Sequence, residues 1–136
     1  GNDFFFFLHE SGLQYPAMYV STCNWFPALP KSDYFVVGGA HADEMETSLI
    51  LHLAPQLVLP LEEAGDGHEK THKIKAYTEG WVWAERKWSQ ISADTGTGNP
   101  KAATAEKGER YFKDITEKIG AFMVELSKAD ITNLYE

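Results

Sequence analysis

The sequence predicts an α/β fold. Extended stretches rich in β-branched and aromatic residues at 17–25 and 34–37 are followed by helical periodicity at 43–53 and 104–128. The length of 136 residues, with 43% hydrophobic and 13% aromatic side chains, is that of one compact domain with its own core, so residues 1–136 read as a single domain.

Each element has a local reason. NDFFFFLHES (2–11) starts on two N-capping residue types and stops before Gly12, which predicts a short helix, a strand being the competing reading. Phe4 to Phe7 would surround such a helix, so the rings are expected to be buried on several faces or covered by a packing partner. AMYVSTCNW (17–25), following Pro16, predicts a buried strand that leads into the proline-punctuated loop FPALPKSD. YFVV (34–37) predicts a second extended piece, ended by Gly38 and Gly39. From Asp43 onward, Met45, Leu49, Ile50 and Leu53 share a broad helical face until Pro55 forbids continuation. LVLP and EEAGDGH predict a short extended piece and a turn, and 73–92, with Trp81, Trp83 and Trp88, an extended hairpin or arm. ADTGTGNP is a loop. Thr104 to Lys128 places Phe112, Ile115, Ile119, Phe122, Met123 and Leu126 at helical spacing, a core stripe on the clearest helix of the chain.

The formal net charge of −8 leaves no cationic field to gather phosphates, which argues against nucleic acid and anionic membrane surfaces. A small neutral or cationic ligand, or a metal, suits it better. Cys23 is the single cysteine, so no internal disulfide is possible; it reads as a buried strand thiol in a reducing, cytoplasmic setting. Neither a secretory leader nor an apolar run long enough for a bilayer is present in these residues.

Three motif lookalikes fail on context. HEKTH (68–72) matches a zinc-binding H-E-x-x-H, but turn residues precede it and no apolar stripe fixes it on a helix. DTG (94–96) occurs once, whereas an aspartic-protease site needs two carboxylates that share a proton. GTGNPK lacks the third glycine of a phosphate loop and places Pro100 where an amide donor is needed.

GGAHADEMETSLILHLAP (38–55) is different. Asp43, Glu44 and Glu46 in a first helical turn complement the macrodipole, and His41 could be a plain loop residue. The same residues could equally build a site: two glycines allow a tight corner before His41, and Glu46, a turn into the helix, can point back toward the imidazole. Carboxylates that neutralise a cation beside a histidine that moves a proton are the parts of a metal hydrolase.

HADEMETS (41–48) with LILHLAPQLV (49–58) resembles the H-A-G-E-x-E-T-S segment and following helix of the creatininase (creatinine amidohydrolase) family. TGNPKAATAEKGERYF (97–112) is similar to that family's G-x-P-x-x-A-T-A-E-K-G segment, which opens its last helix. The resemblance covers nearly the whole chain, but only the second half of a typical member. It implies a three-layer α/β/α fold with a mostly parallel central sheet, of which this chain forms the C-terminal part, and a hexamer-like assembly. The family's E-x-H pair, its aspartate and its N-G-H-G-G-N histidine are absent, so most ligands of a divalent pair, zinc or manganese, would come from outside the chain. Gly1-Asn2 is either the tail of that last motif or, at Gly1, an expression remnant. A separate polypeptide or a missing upstream segment would complete the unit.

Residue by residue, His41 matches the family histidine that contacts substrate and assists proton transfer. Glu46 matches the second glutamate, which belongs at the metal centre or just behind its ligands, and Glu44 matches the first, a further candidate for catalysis. Asp43 replaces the usual glycine and is a candidate for substrate contact. Creatininase covers its substrate with a tryptophan just before the histidine; here Val36 to Ala40 supply none, and Trp25 becomes the candidate lid. The implied reaction is attack of metal-activated water on a cyclic amide or comparable ring carbonyl, with His41 delivering a proton to the leaving group. Hydrolysis of an oxidised inositol-type ring, and a non-catalytic assembly subunit that keeps the fold, are the alternatives.

Overall fold

The computed structural model describes residues 2–136, with side chains from residue 7 onward. Its helices are α1 (Asn2–Gln14), α2 (Glu44–Leu53), α3 (Lys75–Thr78), α4 (Trp88–Ile91) and α5 (Ala105–Lys128), with short 3-10 turns at Lys31–Asp33, Pro55–Leu57, Leu61–Glu63 and Pro100–Ala102. The chain divides into two compact units, Gly1–Leu29 with Ile115–Glu136, and Pro30–Asp114. Among the described residues no helix is long and apolar enough to cross a membrane.

In the first unit, α1 passes through Gly12 and stops at Gln14. A glycine inside a helix costs only about 1 kcal/mol, whereas Pro16 disfavours helical backbone at Tyr15. The expectation of covered rings at Phe4 to Phe6 lies outside the described side chains; Phe7 is 61% exposed. The strand expected at 17–25 is not formed: the segment is irregular, Met18 and Tyr19 are about half exposed, and Cys23 is exposed rather than buried. A strand exists only as one side of a hydrogen-bonded ladder, and Met18 N–H instead closes a turn onto the Tyr15 carbonyl at 2.9 Å. The stripe predicted as core along α5 is buried at Ile115, but Phe122 and Met123 are exposed.

The second unit has its core at Phe35, Met45, Ala103 and Tyr111. The Tyr111 ring, fully buried, meets Phe35 and Tyr34 edge-on at centroid distances of 5.2 and 5.0 Å. Burying such side chains contributes roughly 1.5–3 kcal/mol each. The extended piece expected at 34–37 is again no strand, because the Val36 and Val37 amides go to the Glu44 carboxylate instead of a neighbouring backbone. Strand pairing among the described residues is limited to an isolated antiparallel bridge, Gly39 with Gly98, so these residues do not build the parallel sheet that the resemblance implies.

The α2 pattern is also turned around. Of its expected apolar face only Met45 is buried; Glu44 and Ser48 are buried with it, while Ile50 and Leu53 are exposed. The reason is α5. Gly108 brings its backbone so close to Ser48 that a methyl group there would overlap the Ser48 carbonyl oxygen. Ser48 Oγ donates to the Glu44 carbonyl at 2.6 Å and accepts from Thr104 N–H at 3.2 Å. The predicted arm at 73–92 consists of α3, α4 and irregular chain, with Trp81 and Trp83 about 70% exposed.

Candidate functional site

The corner before α2 is built by backbone pairing. Ala40 N–H donates to the Thr97 carbonyl at 3.1 Å and Thr97 N–H to the His41 carbonyl at 3.0 Å, which fastens His41 to the 96–98 loop. A Cβ on Gly39 would lie 2.6 Å from both the Asp43 Cβ and the Gly98 Cα, and one on Gly98 would overlap Asp43. The two chain segments can approach this closely only without side chains there. Ala42 then takes the left-handed region at φ 52°, which turns the chain into α2.

Asp43 caps α2. One of its oxygens accepts Glu46 N–H at 2.9 Å, the other lies 4.0 Å from Lys31 Nζ, and the residue is buried. Glu46 reaches back to accept Ala42 N–H at 2.6 Å, a variant of the capping box in which the returning carboxylate takes the amide before the cap. That bond holds Glu46 Oε2 at 3.6 Å from His41 Nδ1. His41 is half exposed, and its ring meets Trp88 edge-on at 5.4 Å; the Arg86 guanidinium lies over the Trp88 ring at 4.3 Å. His41, Ala42, Glu46 and Thr47 line an open cavity of about 500 Å³, walled otherwise mainly by Ile50, Leu57, Leu59 and Leu61, with one further acid, Glu63.

Glu44 points elsewhere. It is fully buried, one carboxylate oxygen accepting from Lys107 Nζ at 2.5 Å and the other from Val36 and Val37 N–H at 2.9 and 2.6 Å. Burial pushes its pKa up, but the ammonium and the two amides together outweigh this and hold it below the ordinary glutamate value. Lys107 donates a second bond to the Ala102 carbonyl at 2.8 Å.

The structure therefore brings His41 and Glu46 together at the cavity and places Asp43 and Glu44 inside the protein as structural acceptors. Trp25 belongs to the first unit, where it stacks on Phe26 at 4.2 Å; the tryptophan beside His41 is Trp88. Sequence reasoning passed over Trp88, Lys107 and the Ser48–Thr104 link. Two of the three have a local signal, since Lys107 and Thr104 stand in the second motif segment, whereas nothing local distinguishes Trp88 from Trp81 and Trp83. His68 and His72 lie in exposed loop, His72 Nδ1 accepting Ile74 N–H at 3.0 Å, and Asp94 closes a turn onto Gly96 N–H at 3.1 Å. These motif lookalikes are turn and loop residues, as their context predicts.

The model of the creatininase (creatinine amidohydrolase) family matches residues 9–123. A crystal structure of a Bacteroides fragilis NCTC 9343 protein, provisionally named a creatinine amidohydrolase, is 41% identical and superposes with a TM-score of 0.84. The match covers 95% of this chain and 50% of that one, so the chain spans half the length of that relative. No curated protein matches the chain.

Proposed function

This chain belongs to the creatininase family, and from that premise we propose that it forms the proton-handling side of a metal-dependent amidohydrolase. The observation that carries this reading is the His41–Glu46 pair, 3.6 Å apart at the mouth of a cavity large enough for a small ring. Glu46 is held by the Ala42 amide and stabilises the imidazolium that forms when His41 takes a proton from the water that attacks the ring carbonyl. His41 then returns that proton to the leaving nitrogen as the ring opens. Trp88, edge-on to His41, takes in this reading the covering role that the sequence suggested for Trp25. Asp43 and Glu44 shape the corner from within.

Family membership implies a metal, and a bound metal supplies activated water in such chemistry. His41 and Glu46 alone are two donors, and among the described residues no group of three His, Cys, Asp or Glu side chains is arranged to hold an ion. The donors present do not fit a complete metal centre, so we assign no step to one. Zinc or manganese would be held mostly by donors of a complementary polypeptide corresponding to the rest of the Bacteroides relative. The parallel sheet and a hexamer-like assembly would likewise be completed there. A cyclic amide is the preferred substrate class, with an oxidised inositol-type ring the alternative within the family.

The test is co-expression of this chain with that complementary half, followed by metal analysis and ring-opening assays on cyclic amides. His41→Ala should lower kcat by about 10²–10⁴-fold with metal content retained. Glu46→Gln should lower both turnover and metal content, by about 10–100-fold in turnover. Full activity of His41→Ala would end the proposal. A second reading, a non-catalytic assembly subunit, is favoured by one observation: Asp43, Glu44 and Ser48, three of the polar motif residues, are buried in structural bonds. It predicts a co-expressed complex that forms but retains no metal.

A further inference from the structure

We infer that Lys107 is a positioning residue for His41, acting through Glu44 across 63 residues of sequence. This rests on the reading of His41 as the proton-transfer group.

His41 follows Gly38 and Gly39, and a pair of glycines gives a chain more conformational freedom than any other pair. Gly39 is confined by Asp43 and Gly98, whereas a Cβ on Gly38 would meet nothing within 4 Å. The residues C-terminal to this hinge are fastened by the Ala40–Thr97 and His41–Thr97 bonds and by the Ala42–Glu46 bond. On its N-terminal side Phe35 is held by burial against Tyr111 and by its N–H bond to the Lys31 carbonyl at 2.9 Å, and the two residues next to the hinge, Val36 and Val37, give their N–H groups to one carboxylate oxygen, Glu44 Oε2.

That carboxylate is fully buried, and a buried charge without a partner is strongly unfavourable. Lys107 supplies the partner at 2.5 Å. Its own direction is set by the Ala102 carbonyl and by its place in the first turn of α5, where Thr104 Oγ1 accepts Lys107 N–H at 3.3 Å. The path therefore runs from the start of α5, through Lys107 and Glu44, to the two amides that anchor the glycine hinge, and so to His41. Lys107 touches neither His41 nor the cavity, which is why the role is positioning.

The experiment uses the whole 136-residue chain. Amide exchange is followed by mass spectrometry over 34–42 and over α5, and the His41 ring signal by NMR of ¹³C-histidine, assigned with His41→Gln. Lys107→Met should speed exchange at 36–42 about tenfold or more, leave the α5 amides near their native rates and move the His41 signal. Lys107→Arg, which keeps the charge, should restore most of both. Uniform loss of protection with an unmoved His41 signal would mean a general structural role and overturn the inference. If Lys107→Met does not fold, native-state exchange of the unaltered protein decides: Val36, Val37, Ala40 and Ala42 should open together with one free energy. Protection of Ala40 and Ala42 persisting while Val36 and Val37 exchange would overturn it. None of these readouts uses turnover, so they stand or fall separately from the amidohydrolase reading.

Discussion

Gly38 and Gly98 are the same residue type with opposite sensitivities. A methyl group on Gly98 overlaps the backbone and Cβ of Asp43, where nothing can move cheaply, whereas one on Gly38 points into open space. Gly98→Ala should lower the urea midpoint by the equivalent of about 1–3 kcal/mol, the usual cost of overpacking. Gly38→Ala should be neutral or stabilise by about 0.4–1 kcal/mol, because it narrows the unfolded ensemble without straining the folded one. Glu44 carries the same lesson for acids. Placed beside His41 in sequence, it is indistinguishable from a catalytic carboxylate; only its bonds to Lys107, Val36 and Val37 assign it to structure.

At the scale of elements, α2 shows which signals are local. Its start at Asp43 and its stop before Pro55 are both legible in the sequence, because a cap and a missing N–H act within one turn. Asp43→Ala should cost about 1 kcal/mol in thermal or urea unfolding, and Asp43→Asn, which keeps the accepting oxygen, should recover most of it. Which face α2 buries was not legible. Hydrophobic spacing put Ile50 and Leu53 inwards, but Gly108 and Thr104 of the α5 segment engage Ser48, so the helix is rotated to bury Glu44 and Ser48 and leave Ile50 and Leu53 outside. The tryptophans of 73–92 failed as a strand signal for a related reason: β-propensity is realised only against a partner strand.

For the molecule as a whole, the buried Lys107–Glu44 pair links stability to pH. The Glu44 pKa is lower folded than unfolded, so its contribution is fully present above the ordinary glutamate value and is lost as pH falls through the lower folded value. Urea midpoints measured from neutral pH down into that acid range should therefore fall. In Glu44→Gln the same series should start lower and slope less, since the group that gains the proton is gone. Equal slopes for the two proteins would show that other carboxylates govern acid unfolding.

The sequence by itself determined the family, the starts and stops of α2 and α5, and the pairing of His41 with Glu46 on either side of a helix cap. All of these are written in residues within a turn or two of each other, or in two motif segments whose order is preserved. Tertiary structure alone decided what the other polar residues do: it committed Glu44 to Lys107, put Trp88 rather than Trp81 or Trp83 beside His41, and kept 17–25 and 34–37 from becoming strands. The physical reason is that a carboxylate, a ring or a backbone amide has no fixed role until a partner distant in sequence satisfies it, and sequence spacing does not report which partner arrives.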